Sequence, residues 1–500
     1  DSFKDEACAA CDSVRWVPGW GIDRMKSMIR ERADWCISRQ RRWGLPIPVF
    51  YCKDCGKPVC NDASIQAVSD LFAAKGSNAW FDMDAADILP KGFTCPHCGK
   101  SSGFTKEEDT LDGWFDSGST HFASMQKDQG FWPADMYLEG LDQYRGWFQA
   151  SLLTAVGAFG KGAPFKECVT HGWTVDGEGR AMHKSLGNGV DPADVFNENG
   201  ADILRLWAAS ADYHADVRCS KEIFKQLSQN YLKFRNTCKF MLDNLVDFDP
   251  EKLTKPEDMP VLDRWLLTKL NELIDKAEQS YCDYEFHIIT HAVNDFCVNT
   301  LSSFYLDIVK DRLYCEAADS AERRSAQTAL YLTLHTLAKL FAPILAFTCD
   351  EIWLAMPHTG EDDARNVVLN EMNKPFTAYA LDDETMARWE RIIAVRTVVN
   401  GALEEARAAK VIGKSLEADV HLTVPESDRF FADENPEALA DIFIVSKVEL
   451  AVGDALAVKV DNAAGTKCPR CWKHSLEAND EGLCPRCAEV VRHLRLTELL

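Results

Sequence analysis

The chain has 500 residues, enough for about three to five domains of about 100 to 200 residues each. Its composition, 46% hydrophobic and 27% charged, is typical of globular proteins and excludes a disordered or fibrous chain. The formal net charge of −23 excludes a protein that coats nucleic acid through a general positive charge. Contacts with nucleic acid would need local basic patches. The arginine-rich run 23–42 is one candidate, with a solvated helix face as the alternative.

Membrane-spanning and secretory segments are not predicted. The longest weakly polar stretch, 147–160, has about 14 residues, whereas a membrane-spanning helix needs about 20. No basic leader with an apolar core stands at the start of the chain, so we expect a non-secreted, cytoplasmic protein. Because the chain begins with Asp1 rather than Met, we expect it to be part of a longer protein.

Besides Cys8 and Cys11, eight of the 19 cysteines form four CxxC pairs. The two pairs near the end of the chain stand twelve residues apart, so that their thiolates can converge on one tetrahedral ion. Zinc suits four soft thiolates and has no redox chemistry, so a structural zinc site is predicted, with redox-active or disulfide-bonded cysteines as the alternative. The predicted ligands are Cys468, Cys471, Cys484 and Cys487.

The other two CxxC pairs predict a second structural zinc site. They are 39 residues apart, so the site would close the base of an inserted subdomain. Cys60 and His97 lie close enough in the sequence to be alternative ligands. Four thiolates would leave no open coordination position at either site, which favours a structural role over a catalytic one. The predicted ligands are Cys52, Cys55, Cys95 and Cys98.

The residues after Asp135 predict a β-strand, an α-helix and a second β-strand. The apolar run MYLEG is followed by apolar residues at helical spacing in 148–159 and then by the run CVTHG. Such a unit forms two parallel strands joined by a right-handed crossover. Ligands of open α/β sheets bind beyond the carboxyl ends of the strands, so we expect Glu139 and His171 at a binding site. A further helix is predicted at Pro192, with Asp191 as its cap.

Helical patterns dominate the sequence after about Asp212. Apolar stripes at 266–274 and 330–341 predict a helical bundle, in which such stripes form the core. A charged helix is predicted from about Gly401, followed by a small mixed segment and the cysteine-rich tail. We predict six segments. They are a joining segment at 1–50, a zinc-bearing insertion at 51–134, the strand-helix-strand unit with the loop after it at 135–211, a helical domain at 212–400, a small linking domain at 401–465 and a zinc-binding tail at 466–500.

Two segments carry candidate chemistry. MYLEGLDQYRGWF, 136–148, places a carboxylate and a glycine at a strand end, where a polar ligand can be oriented and approached closely. HGWTVDGEGRAMHKSLGN, 171–188, is a glycine-rich loop that ends in Lys184 and Ser185, a cation and a hydroxyl suited to phosphoryl or nucleotidyl transfer. Either segment alone is also compatible with an ordinary polar loop.

In this order the two segments resemble class I aminoacyl-tRNA synthetases, and most closely the isoleucyl branch of bacterial type. AMHKS is similar to the family's KMSKS signature, although Ala181 and His183 stand where the family usually has lysine and serine. DWCISRQRRWGLPIP, DTLDGWFDSGSTH and the CPRCW tail also match. The HIGH motif and the editing domain of the family have no counterpart in the sequence. We therefore expect the C-terminal portion of such an enzyme, inactive in isolation.

The resemblance implies the second half of a doubly wound α/β nucleotide-binding fold, at 135–211, with a zinc-bearing insertion. It also implies an all-α anticodon-binding bundle, at 212–400, and a small C-terminal zinc domain. It implies ATP-dependent ligation of isoleucine to its tRNA through an isoleucyl-adenylate, with ATP and Mg²⁺ as substrate. The implied partners are the tRNA for isoleucine, isoleucine and ATP, with no membrane. The implied state is a monomer with one or two structural zinc ions.

The resemblance also assigns roles to individual residues. Lys184 would neutralise the departing pyrophosphate, with Ser185 and His183 beside it as catalytic-loop residues, and Lys184 and His171 would bind ATP. Trp114 and Trp147 would form apolar walls for the aliphatic side chain. The adenylate would be held by Glu139, Gly140, Asp142 and Gln143.

Three alternatives remain at the level of the sequence. A noncatalytic tRNA-binding protein derived from a synthetase would have no use for Lys184 or the EGLDQYRGWF segment. A valyl-type synthetase shares the catalytic architecture, and one methylene in a pocket discriminates by only about 1 to 3 kcal/mol. A zinc-ribbon protein acting in transcription would explain the CxxC pairs but not the acidic charge.

Overall fold

The computed structural model describes residues 2–496. It divides into two compact units. Unit 1 contains the residues up to Ala181 together with Tyr213–Arg218. Unit 2 contains Met182–Asp212 and the residues from Cys219 onward. Every helix within residues 2–496 is too short or too polar to span a membrane.

Unit 1 combines a parallel sheet with several short antiparallel pairs. Its strands are β1 (Arg15–Val17), β2 (Ser38–Arg39), β3 (Phe50–Cys52), β4 (Pro58–Val59), β5 (Phe104–Lys106), β6 (Thr110–Leu111), β7 (Ala134–Gly140), β8 (Phe165–His171), β9 (Thr174–Val175) and β10 (Val217–Arg218). Its α-helices are α1 (Ser2–Ala10), α2 (Gly21–Glu31), α3 (Asp62–Lys75), α4 (Ala79–Asp82), α5 (Ala85–Ile88), α6 (Gly113–Gly118) and α7 (Trp147–Phe159). Residues 11–13 and 141–144 form 3₁₀ turns, and 121–128 form a π-helix.

The parallel sheet has the strand order β1-β8-β7. β7 pairs in parallel with β8, and α7 joins them, so the predicted βαβ unit is confirmed. Phe148 and Leu152 of α7 are fully buried, in the same apolar cluster as Phe165 of β8. β1 adds a third parallel strand beside β8, within the predicted joining segment 1–50, where the sequence predicts no strand. Three residues are too few to show a periodic pattern.

The insertion has its own small sheet and core. β3 pairs antiparallel with β4 on one side and with β5 on the other. Phe50, Val59 and Trp80 are fully buried in the apolar cluster of this region. The cysteines of the first predicted zinc site lie at the end of β3 and in the loop before β5.

Unit 2 is mainly helical and has two small sheets in its C-terminal part, before the last helix. Its α-helices are α8 (Pro192–Asn199), α9 (Ala201–Ser210), α10 (Lys221–Asp243), α11 (Val261–Cys282), α12 (Phe286–Asp295), α13 (Leu306–Cys315), α14 (Ala321–Phe341), α15 (Ala346–Ala355), α16 (Asp383–Ala408), α17 (Pro436–Phe443) and α18 (Pro485–Leu496). Its strands are β11 (Ala418–Pro425), β12 (Lys447–Gly453), β13 (Ala457–Asn462), β14 (Thr466–Lys467) and β15 (His474–Ser475). Residues 184–186, 256–258, 367–369, 377–379, 415–417 and 426–433 form 3₁₀ turns, and 296–305 form a π-helix.

The helical bundle is confirmed. The predicted stripes lie in α11 and α14, and their leucines are buried in one core. Asp191 caps α8 as predicted, because its side chain accepts a hydrogen bond from the N–H of Ala193. The predicted start of the charged helix at Gly401 is wrong: α16 begins at Asp383, where the Asp382 side chain accepts from the N–H of Thr385. An aspartate cap followed by further acidic residues is a strong helix start.

Candidate active site and metal centres

The ends of β7 and β8 bring the first group of predicted site residues together. Their register pairs Glu139 with Thr170 and Gly140 with His171, so both predicted residues lie at the same edge of the sheet. A Cβ atom on Gly140 would lie 2.9 Å from Oδ1 of Asp142 and 3.6 Å from Cε1 of His171. The absence of a side chain at Gly140 therefore leaves room for Asp142 and His171 to approach each other.

Gln143 connects this edge to the start of α7. Its Nε2 donates to Oδ2 of Asp142 (2.9 Å), and its Oε1 accepts from the N–H of Trp147 (3.0 Å). A Cβ atom on Gly146 would lie 2.5 Å from Oε1 of Gln143 and 3.0 Å from Cη2 of Trp114. Any larger residue at Gly146 would displace both neighbours, so this glycine is part of the site although no role is predicted for it from the sequence.

The two predicted tryptophan walls differ in their environment. Trp147 is half-buried and stacks on Tyr137, with ring centroids 4.1 Å apart. Its Nε1 donates to the backbone oxygen of Ser117 (3.0 Å). Trp114 is 44% exposed at the start of α6. Trp114 therefore offers a free ring face, whereas much of Trp147 is committed to packing.

Asp112 orients α6 and was not predicted as a site residue. It is buried, and its side chain accepts from the N–H of Trp114 (3.3 Å), from Nε1 of Trp35 (2.9 Å) and from Nη2 of Arg39 (2.8 Å). An aspartate directly before a glycine and an aromatic run is a recognisable helix cap, and this local signal could have identified it. Its two distant partners could not be read from the sequence.

The loop that carries the predicted lysine begins with a tight hairpin in unit 1. Oδ1 of Asp176 accepts from the N–H of Glu178 (3.0 Å) and of Arg180 (2.8 Å). Val175 and Ala181 then form an antiparallel bridge. The carboxylate of Asp176 thus fixes the turn that precedes residues 183–185 of the loop.

Lys184, Ser185 and His183 lie together in unit 2, whereas the strand-end residues belong to unit 1. Lys184 and Ser185 are exposed and open a short 3₁₀ turn. The N–H of His183 donates to Oδ1 of Asn188 (2.9 Å). Among the described residues of its own unit, the Lys184 ammonium makes no ion pair, so the cation is available to an anionic ligand.

The first cysteine cluster has the geometry of a tetrahedral metal site. The Sγ atoms of Cys52 and Cys98 are 3.7 Å apart, as are those of Cys55 and Cys95. All four Sγ atoms lie within 4.8 Å of one another. Nε2 of the alternative ligand His97 instead donates to the backbone oxygen of Pro58 (3.0 Å).

Backbone N–H groups favour the thiolate form of Cys95 in the first cluster. Burial raises the pKa of Cys95, but the N–H groups of His97 and Cys98 outweigh this effect and lower the pKa to about 6. The N–H of His97 lies 3.4 Å from Sγ of Cys95. At Cys98 the backbone N–H of Lys100 acts in the same direction, but burial and the neighbouring cysteines raise the pKa to about 12. A deprotonated sulfur is the form that binds a metal ion.

The second cluster, in the tail, has the same spacing and deeper burial. All four Sγ atoms lie within 4.8 Å of one another, and those of Cys471 and Cys484 are 3.7 Å apart. A hydrogen bond from Cys471, opposed by burial and helped by Arg470, lowers the pKa of Cys487 to about 4. Cys468 and Cys487 are fully buried.

The observed sulfur separations fit zinc rather than disulfides. Four sulfurs about 2.3 Å from a tetrahedral ion lie about 3.8 Å from one another, whereas bonded sulfurs are about 2.05 Å apart. The sulfur separations of 3.7 Å therefore match a four-thiolate metal centre in both clusters. The donor set is also the one that zinc prefers.

Two family models match the chain. The model described as tRNA synthetases class I (I, L, M and V) matches residues 1–220. The model described as the anticodon-binding domain of tRNA ligase matches residues 263–422, most of which lie in the helical part of unit 2.

Curated relatives match over nearly the whole chain. An isoleucine–tRNA ligase of Moorella thermoacetica is 48% identical, over 99% of this chain and 55% of the relative. An isoleucine–tRNA ligase of Caldanaerobacter subterraneus subsp. tengcongensis is also 48% identical, over 98% of this chain and 54% of the relative. The chain thus spans about 55% of the length of the curated relatives it matches.

Solved structures show the same fold at low sequence identity. The ternary complex of Agrobacterium radiobacter K84 LeuRS with tRNA and LeuAMS matches with a TM-score of 0.51 and 18% identity, over 86% of this chain and 46% of that one. Mycobacterium tuberculosis methionyl-tRNA synthetase bound by methionyl-adenylate matches with a TM-score of 0.50 and 16% identity, over 76% of this chain and 64% of that one. The resemblance inferred from the motifs is confirmed: residues 1–220 match the class I tRNA synthetases, and residues 263–422 match the anticodon-binding domain of tRNA ligases.

Proposed function

We propose that the protein containing this chain is an isoleucine–tRNA ligase, which joins isoleucine to its tRNA through an isoleucyl-adenylate. The relatives that match nearly the whole chain at 48% identity carry that name. The observation that carries the proposal is the group of polar residues at the carboxyl ends of β7 and β8, in the part of the chain that matches the class I synthetases. This edge is where open α/β sheets bind their ligands.

The strand-end residues would hold the amino acid and the adenylate. Glu139 is exposed, and its carboxylate makes no hydrogen bond or ion pair among the described residues of its unit, so it is available to an ammonium or a hydroxyl group. Asp142 and Gln143 form a hydrogen-bonded pair beside Gly140. The exposed ring of Trp114 would pack against the aliphatic side chain.

The lysine loop would stabilise charge during adenylate formation. An isoleucine carboxylate oxygen attacks the α-phosphorus of ATP, the bond to the bridging oxygen breaks, and pyrophosphate leaves with the electron pair. Lys184 would neutralise the charge that builds on the pyrophosphate, with Ser185 and His183 beside it. His171 would contact ATP at the strand edge, and Mg²⁺ would accompany ATP as part of the substrate.

The remaining predicted features complete the proposal. Both cysteine clusters would bind structural zinc, and the helices between residues 212 and 400 would bind the anticodon stem of the tRNA. Each of these functions would belong to one of the six segments predicted from the sequence. We also propose a monomer in the cytoplasm, a reducing compartment that fits the 19 cysteines, none of which forms a disulfide within the described residues.

The test is isoleucine-dependent exchange of pyrophosphate into ATP, measured in the protein that contains this chain. Loss of one charge-stabilising group costs about 2 to 4 kcal/mol of barrier, so Lys184→Ala should slow exchange by about 30-fold to 1000-fold. Its affinity for tRNA should stay nearly unchanged. Lys221→Ala is the matched control, because Lys221 is an exposed lysine of the same unit that pairs with Glu198.

Two outcomes would contradict the proposal. Exchange that depends on valine as strongly as on isoleucine would favour a valyl-type synthetase. Binding of tRNA without any amino-acid-dependent exchange would favour the noncatalytic alternative. Equal losses of exchange and tRNA affinity in Lys184→Ala would instead assign Lys184 a folding or docking role.

A further inference from the structure

Two arginines between the cysteines of the tail form hydrogen bonds with the C-terminal part of α13. Arg470, within the first CPRC pair, donates from Nη2 to the backbone oxygen of Tyr314 (3.4 Å) and from Nη1 to that of Cys315. These carbonyls belong to the last turn of α13, where no later residue of the helix can satisfy them. The guanidinium also complements the negative end of the helix dipole.

Arg486, within the second CPRC pair, makes the stronger attachment. Nη1 and Nη2 donate to the two carboxylate oxygens of Asp311, at 2.5 and 2.9 Å, and Nη1 also donates to Oε1 of Glu316 (2.9 Å). The Asp311 side chain is 22% exposed. A two-point guanidinium–carboxylate pair in such a partly buried place is among the strongest side-chain contacts.

Arg470 also contacts one of the tail cysteines. Nη1 of Arg470 lies 3.7 Å from Sγ of Cys487, so one guanidinium contacts both a predicted metal ligand and the helix end. Sγ of Cys315 donates to the backbone oxygen of Arg470 (3.7 Å), and Cys315 shares an apolar cluster with the tail cysteines. Four thiolates and one Zn²⁺ carry a formal charge of about −2, which nearby guanidinium groups offset.

We infer that Asp311 of α13 is a positioning residue for the metal centre in the tail, so that docking of the tail and binding of the metal stabilise each other. The inference rests on the proposed zinc site. Coupling of this kind is reciprocal: if docking tightens metal binding, the metal tightens docking by the same factor. A substitution in α13, outside the tail, should therefore change how tightly the tail holds zinc.

The test measures the rate of zinc release to a chromogenic chelator from the full chain. Asp311→Asn removes the charge that pairs with Arg486. Hydrogen bonds between charged groups are strong enough for us to expect about tenfold faster release from the tail. Asp307→Asn is the matched control, because Asp307 lies on the same helix and pairs with Lys310. Release from the first cluster provides an internal reference that neither variant should change.

Because the coupling is reciprocal, docking of the tail can be measured as well as zinc release. Zinc removal should accelerate protease cleavage within residues 466–496, and Asp311→Asn should do the same while zinc is still bound. Arg486→Lys, which keeps the charge but loses the two-point contact, carries the test if Asp311→Asn does not fold. If the tail of the wild-type protein binds no zinc, the proposed metal site itself is wrong. If wild type, Asp311→Asn and Arg486→Lys all bind zinc and release it at the same rate, the site stands and the coupling is wrong.

Discussion

The two cysteine clusters share their ligand spacing but differ in what surrounds them. In the first cluster Cys55 and Cys98 are exposed, and the third residues of its pairs are Asp54 and His97. Asp54 accepts a hydrogen bond from Ser102, within the insertion itself. In the tail, the third residues of both pairs are arginines that reach α13. The cysteines thus set which ion can bind, and the residues between them set what the site is attached to.

The clusters also differ at the residue that follows the second cysteine of a pair. Gly56 and Gly99 fill this position in the first cluster, at φ values of 68° and 71°. Trp472 fills it after the first pair of the tail at φ 66°, a left-handed conformation that L side chains avoid, whereas Ala488, after the second pair, lies in α18. Its ring is 53% exposed, and Nζ of Lys414 lies 5.5 Å from the ring centroid. The tail therefore tolerates local strain that the first cluster avoids with glycine.

Removal of the metal should give the largest difference in stability between the tail and the insertion. Binding of zinc to four thiolates contributes about 10 to 16 kcal/mol in small zinc domains, and the tail has only a small apolar cluster besides its cysteines. Chelation should therefore unfold residues 466–496 first, measured as loss of hydrogen-exchange protection in α18. The insertion should keep protection in α3, because the buried Phe50 and Trp80 provide a core without metal. Equal loss of protection in both regions would contradict this difference.

A smaller effect should come from the left-handed residues. Trp472→Gly should stabilise the local turn by about 1 kcal/mol, because glycine adopts positive φ without a steric penalty. Gly56→Ala should cost about the same in the first cluster, although a Cβ atom there would meet no atom within 4 Å. Denaturant unfolding of each variant with zinc bound checks both signs. Destabilisation by Trp472→Gly would show that the contact with Lys414 outweighs the strain.

Local signals in the sequence predicted much of the fold. The βαβ unit, the stripes of α11 and α14, the Asp191 cap and the cysteine spacing all depend on residues close together in the chain. The contacts that were missed join distant residues through very short elements. β9 pairs with β10 over two residues each, and a Cβ atom on Gly172 would lie 2.4 Å from the backbone of Ala215.

In the candidate site, too, the features encoded locally were predicted and the contacts between distant residues were not. Glu139, Gly140 and His171 were expected at one edge because parallel strands end together, and the register places them there. The partners of Asp112 stand 77 and 73 residues earlier in the chain, and Asp311 stands 175 residues before Arg486. Pairing of side chains across such separations depends on tertiary packing, which no local pattern encodes.

Zinc content of freshly prepared, reduced protein tests most directly whether both clusters are metal centres. We expect two zinc ions per chain, one for each group of four thiolates. Cys52→Ser and Cys484→Ser should each leave one ion, because each removes a ligand from a different cluster. Protein that contains no zinc, or one ion that neither substitution removes, would contradict the assignment of both clusters.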